Sequence, residues 1–157
     1  MAIQAGEKIP DVKLKRTNMQ DVTTAELFGG KKVVLFAVPG AFTPTCSEQH
    51  LPGYIEKADE IRAKGVDDIL CVSVNDAFVM DAWGKDRGIG DKVTLIADGN
   101  GDLATALGLD FDGSGIGFGI RAQRFALIAE DGVVTKVAVE EPMKFDVSSA
   151  ESILAAL

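Results

Sequence analysis

Residues 124–139 read Arg124-Phe125-Ala126-Leu127-Ile128-Ala129-Glu130-Asp131-Gly132-Val133-Val134-Thr135-Lys136-Val137-Ala138-Val139. Two β-rich runs, RFALIA (124–129) and VVTKVAV (133–139), are joined through Asp131-Gly132, a dipeptide that favours a tight antiparallel hairpin. Upstream the pattern differs. Apolar runs at 32–38 (KVVLFAV), 69–74 (ILCVSV) and 93–97 (VTLIA) are short, rich in Val, Ile and Leu, and bounded by turn residues. Strands buried on both faces have that composition. Helical spacing separates them: Tyr54, Ile55, Ala58 and Ile61 lie within 54–63, and Phe78, Met80 and Trp83 within 77–85. A short helix at 102–107 follows the turn Asp98-Gly99-Asn100-Gly101, and a last one at about 148–156 brings Ile153, Leu154 and Leu157.

Strand alternating with helix predicts a parallel α/β core. The hairpin adds antiparallel strands, so the expected fold is α/β and thioredoxin-like, with a mixed central sheet flanked by helices. No repeat or linker divides the 157 residues, which predicts a single domain spanning 1–157. A chain of this length, 46% apolar and 25% charged, buries roughly 70% of its unfolded surface and folds without a disulfide framework. The longest apolar run, Val33 to Val38, is far below the ~20 residues of a membrane span, and the first ten residues carry no secretory pattern. A cytoplasmic protein with no membrane partner is expected.

The formal net charge of −8 repels a phosphate backbone. The basic run Lys13, Lys15 and Arg16 lacks an aromatic platform and reads as a solvated face, so no nucleic-acid partner is expected. Cys46 and Cys71 are the two cysteines, and no C-x-x-C pair exists, which argues against a dithiol oxidoreductase.

Chemistry concentrates in Val38-Pro39-Gly40-Ala41-Phe42-Thr43-Pro44-Thr45-Cys46-Ser47-Glu48-Gln49-His50, between the most apolar strand and a helix. Pro44 suits a first helical position after Thr43, whereas Thr45-Cys46-Ser47-Glu48 reads as a capping box. Both place Cys46 in the first helical turn. Unpaired N–H groups and the helix dipole favour an anion there, so a thiolate is expected to be favoured at this position. The same amides can hold a small polar substrate. Pro52 interrupts the helical pattern, which predicts a kink or restart that leaves the Cys46 turn loosely tied. Cys71, inside Ile69-Leu70-Cys71-Val72, reads as a packed core thiol.

Pro39-x-x-x-Thr43-x-x-Cys46 matches the peroxiredoxin active-site pattern, and PGAFTPTCSEQHLPGY resembles the type II (Prx5-like) subgroup. The resemblance continues through SVNDAFVM (73–80), Trp83-Gly84-Lys85 and Arg121-Ala122-Gln123-Arg124-Phe125-Ala126. It implies a thiol peroxidase acting on hydrogen peroxide and organic hydroperoxides, in which Cys46 is the peroxidatic cysteine. By the same resemblance Thr43 and Arg124 hold the peroxide oxygens, Pro39 shields the pocket, and the amides of Thr45 and Cys46 complete the substrate's hydrogen bonds. Thr43 is expected to accept from the peroxide while donating to the thiolate. Arg124 stabilises both thiolate and leaving oxygen, and the product is a sulfenic acid. The resemblance further implies a homodimer and no metal, flavin or other cofactor.

His50 stands four residues after Cys46 and reads as a supporting residue of the pocket. Residues 140–157 lack the resolving cysteine of two-cysteine members. Cys71 is a poor substitute in a buried strand, so an external reductant is expected: glutathione with glutaredoxin, or thioredoxin. Two other readings stand beside this one. Sulfenylation of Cys46 could serve a redox-sensing or chaperone-like interaction protein, and Cys46 with His50 could serve a cysteine hydrolase. Asp98-x-Asn100-x-Asp102 lacks the Gly and Glu of a calcium loop and reads as a turn capping the next helix. Gly113, Gly115, Gly117 and Gly119 precede a strand, unlike a phosphate loop, and read as a mobile loop at a subunit contact. Zinc at Cys46, His50 and Cys71 would require a rearranged strand.

Overall fold

The computed structural model describes residues 2–157. In chain order the elements are β1 (Lys13–Arg16), β2 (Asp21–Thr23), α1 (Thr24–Phe28), β3 (Lys32–Ala37), a π-turn (Cys46–His50), α2 (Leu51–Ala63), β4 (Asp68–Ser73) and α3 (Ala77–Arg87). There follow β5 (Thr94–Ala97), α4 (Asp102–Ala106), β6 (Asp110–Asp112), β7 (Ile120–Ala122), β8 (Phe125–Glu130), β9 (Val133–Val139) and α5 (Ala150–Ala156). Seven strands form one sheet in the order β2-β1-β5-β4-β3-β8-β9. β3, β4 and β5 run parallel, while β8, β9, β1 and β2 join antiparallel. The sheet is therefore mixed, flanked by helices, and thioredoxin-like.

The hairpin turns as its dipeptide requires. Asp131 and Gly132 both take positive φ, 49° and 78°, the backbone of a type I′ turn whose twist matches the flanking strands. Its register pairs Ala37 with Phe125 and Phe125 with Val139. The N-terminus of β8 thus lies beside the C-terminus of β3, where the loop to Cys46 departs.

Period-two alternation divides the core. Val33, Leu35 and Ala37 face one layer with Phe125, Leu127 and Ala129, against Leu27, Phe28, Leu103 and Leu107 of α1 and the α4 region. Val34, Phe36, Val38, Ala126 and Ile128 face the other, against Leu51, Tyr54, Ala58 and Ile61 of α2 and Met80 and Trp83 of α3. Cys46 and Cys71 belong to this second layer.

The basic run is the solvated face it was expected to be, carried on strand β1: Leu14 is buried while Lys13 and Lys15 turn outward to Asp21 across the pair with β2. Two expectations need correction. The capping box at Thr45 does not form. Thr45 is helical (φ −64°, ψ −38°) and makes no side-chain cap, whereas a cap needs an extended backbone. Pro44 and Thr45 open the helix, with the Ser47 N–H on the Thr43 carbonyl at 2.9 Å. Finally, the helix does restart near Pro52, but the Cys46 turn is not loose. Pro52 has no N–H and its ring would strike the carbonyl four residues back in a regular α-turn. The preceding turn instead widens to π, with the Leu51 N–H on the Cys46 carbonyl. That shift frees the Ser47 carbonyl, which accepts from Arg87 Nη1 at 3.0 Å, and Ser47 Oγ accepts from Trp83 Nε1 at 2.9 Å. The turn is tied sideways to α3.

Two smaller readings hold. Asp98 accepts from the Leu103 and Ala104 amides at 3.1 and 3.0 Å, capping α4, and the glycine loop runs into β7.

Candidate active site

The loop leaving β3 carries Pro39, Thr43 and Thr45, all half-buried, to a fully buried Cys46. Arg124 reaches the same point from the far end of the sequence. It lies one residue before β8, and its alternation with Ala126 and Ile128 turns it to the α2 side. Its Nη2 donates to Cys46 Sγ at 3.1 Å and its Nη1 to His50 Nδ1 at 2.9 Å. The structure thus brings Cys46, Arg124 and His50 into direct contact.

His50 is fully buried, four residues after Cys46, and sits among Phe36, Tyr54 and Phe145, whose ring centroids lie 4.8, 5.6 and 5.1 Å away. Because a guanidinium only donates, Nδ1 must offer a lone pair, and Nε2 carries the proton to the Ser148 carbonyl at 3.0 Å. Burial first, and the neighbouring Arg124 charge second, push the imidazole down to about 3. The sign of its effect on stability follows. Between about 6.5 and about 3 the unfolded chain binds a proton that the folded chain refuses, so stability is complete above that window and falls on acidification. The slope from this group reaches about 1.4 kcal/mol per pH unit. Urea unfolding from about pH 7 to pH 5 should show it, and His50→Gln should flatten the dependence; an equal slope in both proteins would refute the assignment.

Thr43 departs from its expected role in one respect. Its single proton goes to the Gly40 carbonyl at 2.6 Å, leaving lone pairs for a peroxide O–H but no proton for the thiolate. Thr45 and Cys46 stand at the helix start, ahead of the first intrahelical bond from Ser47, so their amides lack i−4 partners in the helix. Pro39 is held by its carbonyl, which accepts from Arg121 Nη1 at 3.1 Å, while Arg121 Nε donates to the Phe118 carbonyl. A Cβ at Gly40 would come within 2.7 Å of Arg121 Nη1, so a larger residue there would push that guanidinium off the Pro39 carbonyl.

Cys71 lies apart from this group, in β4 between Phe36 and Leu95 on the neighbouring strands. Complete burial, reinforced by Cys46, pushes its thiol well above the ordinary range. The single-residue reading missed Arg87, Arg121, Glu140, Phe145 and Ser148. Arg121 is visible as the first arginine of Arg-x-x-Arg. The others are separated in sequence from the residues they support and carry no local signal.

A buried cysteine at a helix start, facing an arginine from the adjoining antiparallel strand of a mixed sheet, defines a thioredoxin-like thiol redox protein. Residues 4–154 match the redoxin family. Peroxiredoxin-2B of Arabidopsis thaliana is 48% identical over 159 residues, covering 99% of this chain and 98% of that one. A crystal structure of reduced Prx3 from Vibrio vulnificus in complex with H2O2 is 55% identical, covers 98% of each chain and superposes with a TM-score of 0.94. A 1-Cys peroxiredoxin, the antioxidant protein of Plasmodium falciparum, is 32% identical over 96% of each chain with a TM-score of 0.90. The chain belongs to the redoxin family and, within it, to the peroxiredoxins, thiol peroxidases that work through a cysteine; its type II neighbours fit the same subgroup.

Proposed function

We propose that Cys46 is the peroxidatic residue and that hydrogen peroxide and organic hydroperoxides are its substrates. The contact of Arg124 Nη2 with Cys46 Sγ carries this reading. Attack of the thiolate on one peroxide oxygen forms the S–O bond and breaks O–O. The attacked oxygen keeps its hydrogen and becomes part of Cys46–SOH, while the other oxygen departs as hydroxide or alkoxide and takes a proton from water. Arg124 stabilises charge on sulfur and on the departing oxygen, Thr43 accepts from the attacked O–H, and the Thr45 and Cys46 amides orient the substrate. Pro39 shields the site, and the cytoplasm is its setting.

Reduction of the sulfenic acid consumes two external thiols and yields water, Cys46 thiol and a disulfide. Glutathione with glutaredoxin, or thioredoxin, supplies them. Cys71 is a poor resolver, since its sulfur is buried in a central strand and strongly disfavours the thiolate.

A homodimer fits the apolar surface at this end of the sheet. Phe42, Phe78 and Ile120 are 53%, 70% and 48% exposed. Ala41 bonds Asn75, three residues before Phe78, and Ile120 lies against Gly101. Phe42 also holds a φ of +64°, uncommon for a bulky residue, which turns its ring outward.

The test is steady-state turnover with glutathione/glutaredoxin and with thioredoxin, in wild type and Cys71→Ser, on protein whose sedimentation reports its mass. Many turnovers per chain are expected, with Cys71→Ser within about twofold of wild type. Consumption stopping at one equivalent per chain would instead favour the sensor reading.

A further inference from the structure

Arg124 is held without being neutralised. Among the described residues no Asp or Glu oxygen pairs with its guanidinium, in contrast to Arg87, which Asp86 engages at 3.0 Å. Its two side-chain acceptors are Cys46 Sγ and an imidazole nitrogen. A carboxylate in place of His50 would grip a guanidinium at least as well, as a bidentate pair. It would also set a negative charge about 4 Å from the positive one and cancel much of the field that Cys46 experiences. A neutral acceptor aims the guanidinium and leaves its charge for sulfur.

The tautomer is fixed from behind, while burial and the Arg124 charge keep the ring neutral against the opposing pull of the Ser148 carbonyl and Glu140. The Ser148 carbonyl accepts from both His50 Nε2 and Tyr54 Oη, at 3.0 and 2.8 Å, so two donors fix one oxygen. Ser148 is in turn knotted to Glu140, whose Oε2 accepts from Ser148 N, Ser148 Oγ and Asp146 N at 2.8, 2.7 and 2.6 Å. Glu140 donates its own N–H to the Arg124 carbonyl at 3.0 Å, closing the circuit across the β8–β9 pair. The charged or titratable groups around the ring are Arg124, Cys46 on the far side of that guanidinium, Tyr54 and Glu140, and only Arg124 hydrogen-bonds Nδ1. A proton at Nδ1 would face a cation.

We infer that His50 is a charge-neutral positioning residue: its Nδ1 lone pair aims Arg124 at Cys46, and the Glu140–Ser148 knot selects the tautomer that exposes that lone pair. This rests on the peroxidatic reading of Cys46 and deepens it.

The experiment compares His50→Leu, His50→Gln and His50→Glu with wild type in pre-steady-state reaction with hydrogen peroxide, alongside ultraviolet thiolate absorbance at neutral pH. Leu offers no acceptor, Gln restores a neutral one, and Glu supplies a charged one. His50→Leu should be about 10–100-fold slower, and His50→Gln should recover most of that loss. His50→Glu should stay slow and lose thiolate absorbance even where it holds the arginine. Should the buried glutamate prevent folding, the Leu/Gln contrast still decides. Imidazole nitrogen NMR of the wild type should show the Nε2–H tautomer alone, without titration from about pH 5 to 8. Equal rates for Gln and Leu, wild-type behaviour of Glu, or an Nδ1–H tautomer would overturn the inference. Arg124→Gln run in parallel separates the levels: if it too reacts at the wild-type rate, the peroxidatic reading itself has failed.

Discussion

Arg124→Gln is expected to slow reaction with hydrogen peroxide by about 10²–10³-fold, the usual cost of removing a donor aimed at developing negative charge. Gln keeps a donor and much of the length but has neither the charge nor the second arm that reaches His50. The loss should appear in the rate constant for sulfenic acid formation and persist at saturating reductant, because the guanidinium acts before any second thiol arrives. Stopped-flow measurement under single-turnover conditions reads that step alone. A loss confined to the reductive half of the cycle would contradict the assignment.

Cys46→Ser should abolish turnover while leaving the fold intact. The hydroxyl is close to isosteric with the thiol and keeps a hydrogen bond from Arg124, but it offers almost no anion at neutral pH and cannot form a sulfenic acid. Activity should fall below detection, and mass spectrometry should find no sulfenylated peptide spanning 45–52 after peroxide treatment. Residual turnover in Cys46→Ser, abolished by a further Cys71→Ser change, would move the chemistry to the other sulfur.

Much of the fold is legible because its signals are local. The Val/Ile/Leu runs, the Asp131-Gly132 turn and the spacing of Tyr54, Ala58 and Ile61 each declare an element within a few residues. β6 and β7 escape because three residues are too few for a period to show. β2 is equally short, and β1 is one residue longer but disguised by its charged outward positions. The capping box that does form, Thr23 with Glu26, belongs to a five-residue helix without a recognisable apolar face, while its look-alike at Thr45 fails on backbone angles.

The site divides along the same line. Cys46 announces itself through Pro44 and the helix start. Arg124 does not, yet its position follows from two facts jointly: the hairpin register beside β3 and the alternation that turns even-numbered residues of β8 toward α2. Sequence pattern supplies the second fact but not the strand order, and the resemblance to a known family filled that gap. His50's partner at Ser148 lies 98 residues away, a distance that no local pattern bridges.

The wide turn at Cys46–His50 has a mechanical consequence. Helix α2 keeps its own ladder from Leu51 onward, while Ser47 is moored to α3 by the Trp83 and Arg87 side chains. A larger oxidised sulfur therefore presses on a short detachable segment with side-chain moorings, not on thirteen residues of continuous helix. Uncovering the sulfur means releasing those two ropes together with the His50 contacts to Arg124 and Ser148, and it leaves the rest of the hull afloat.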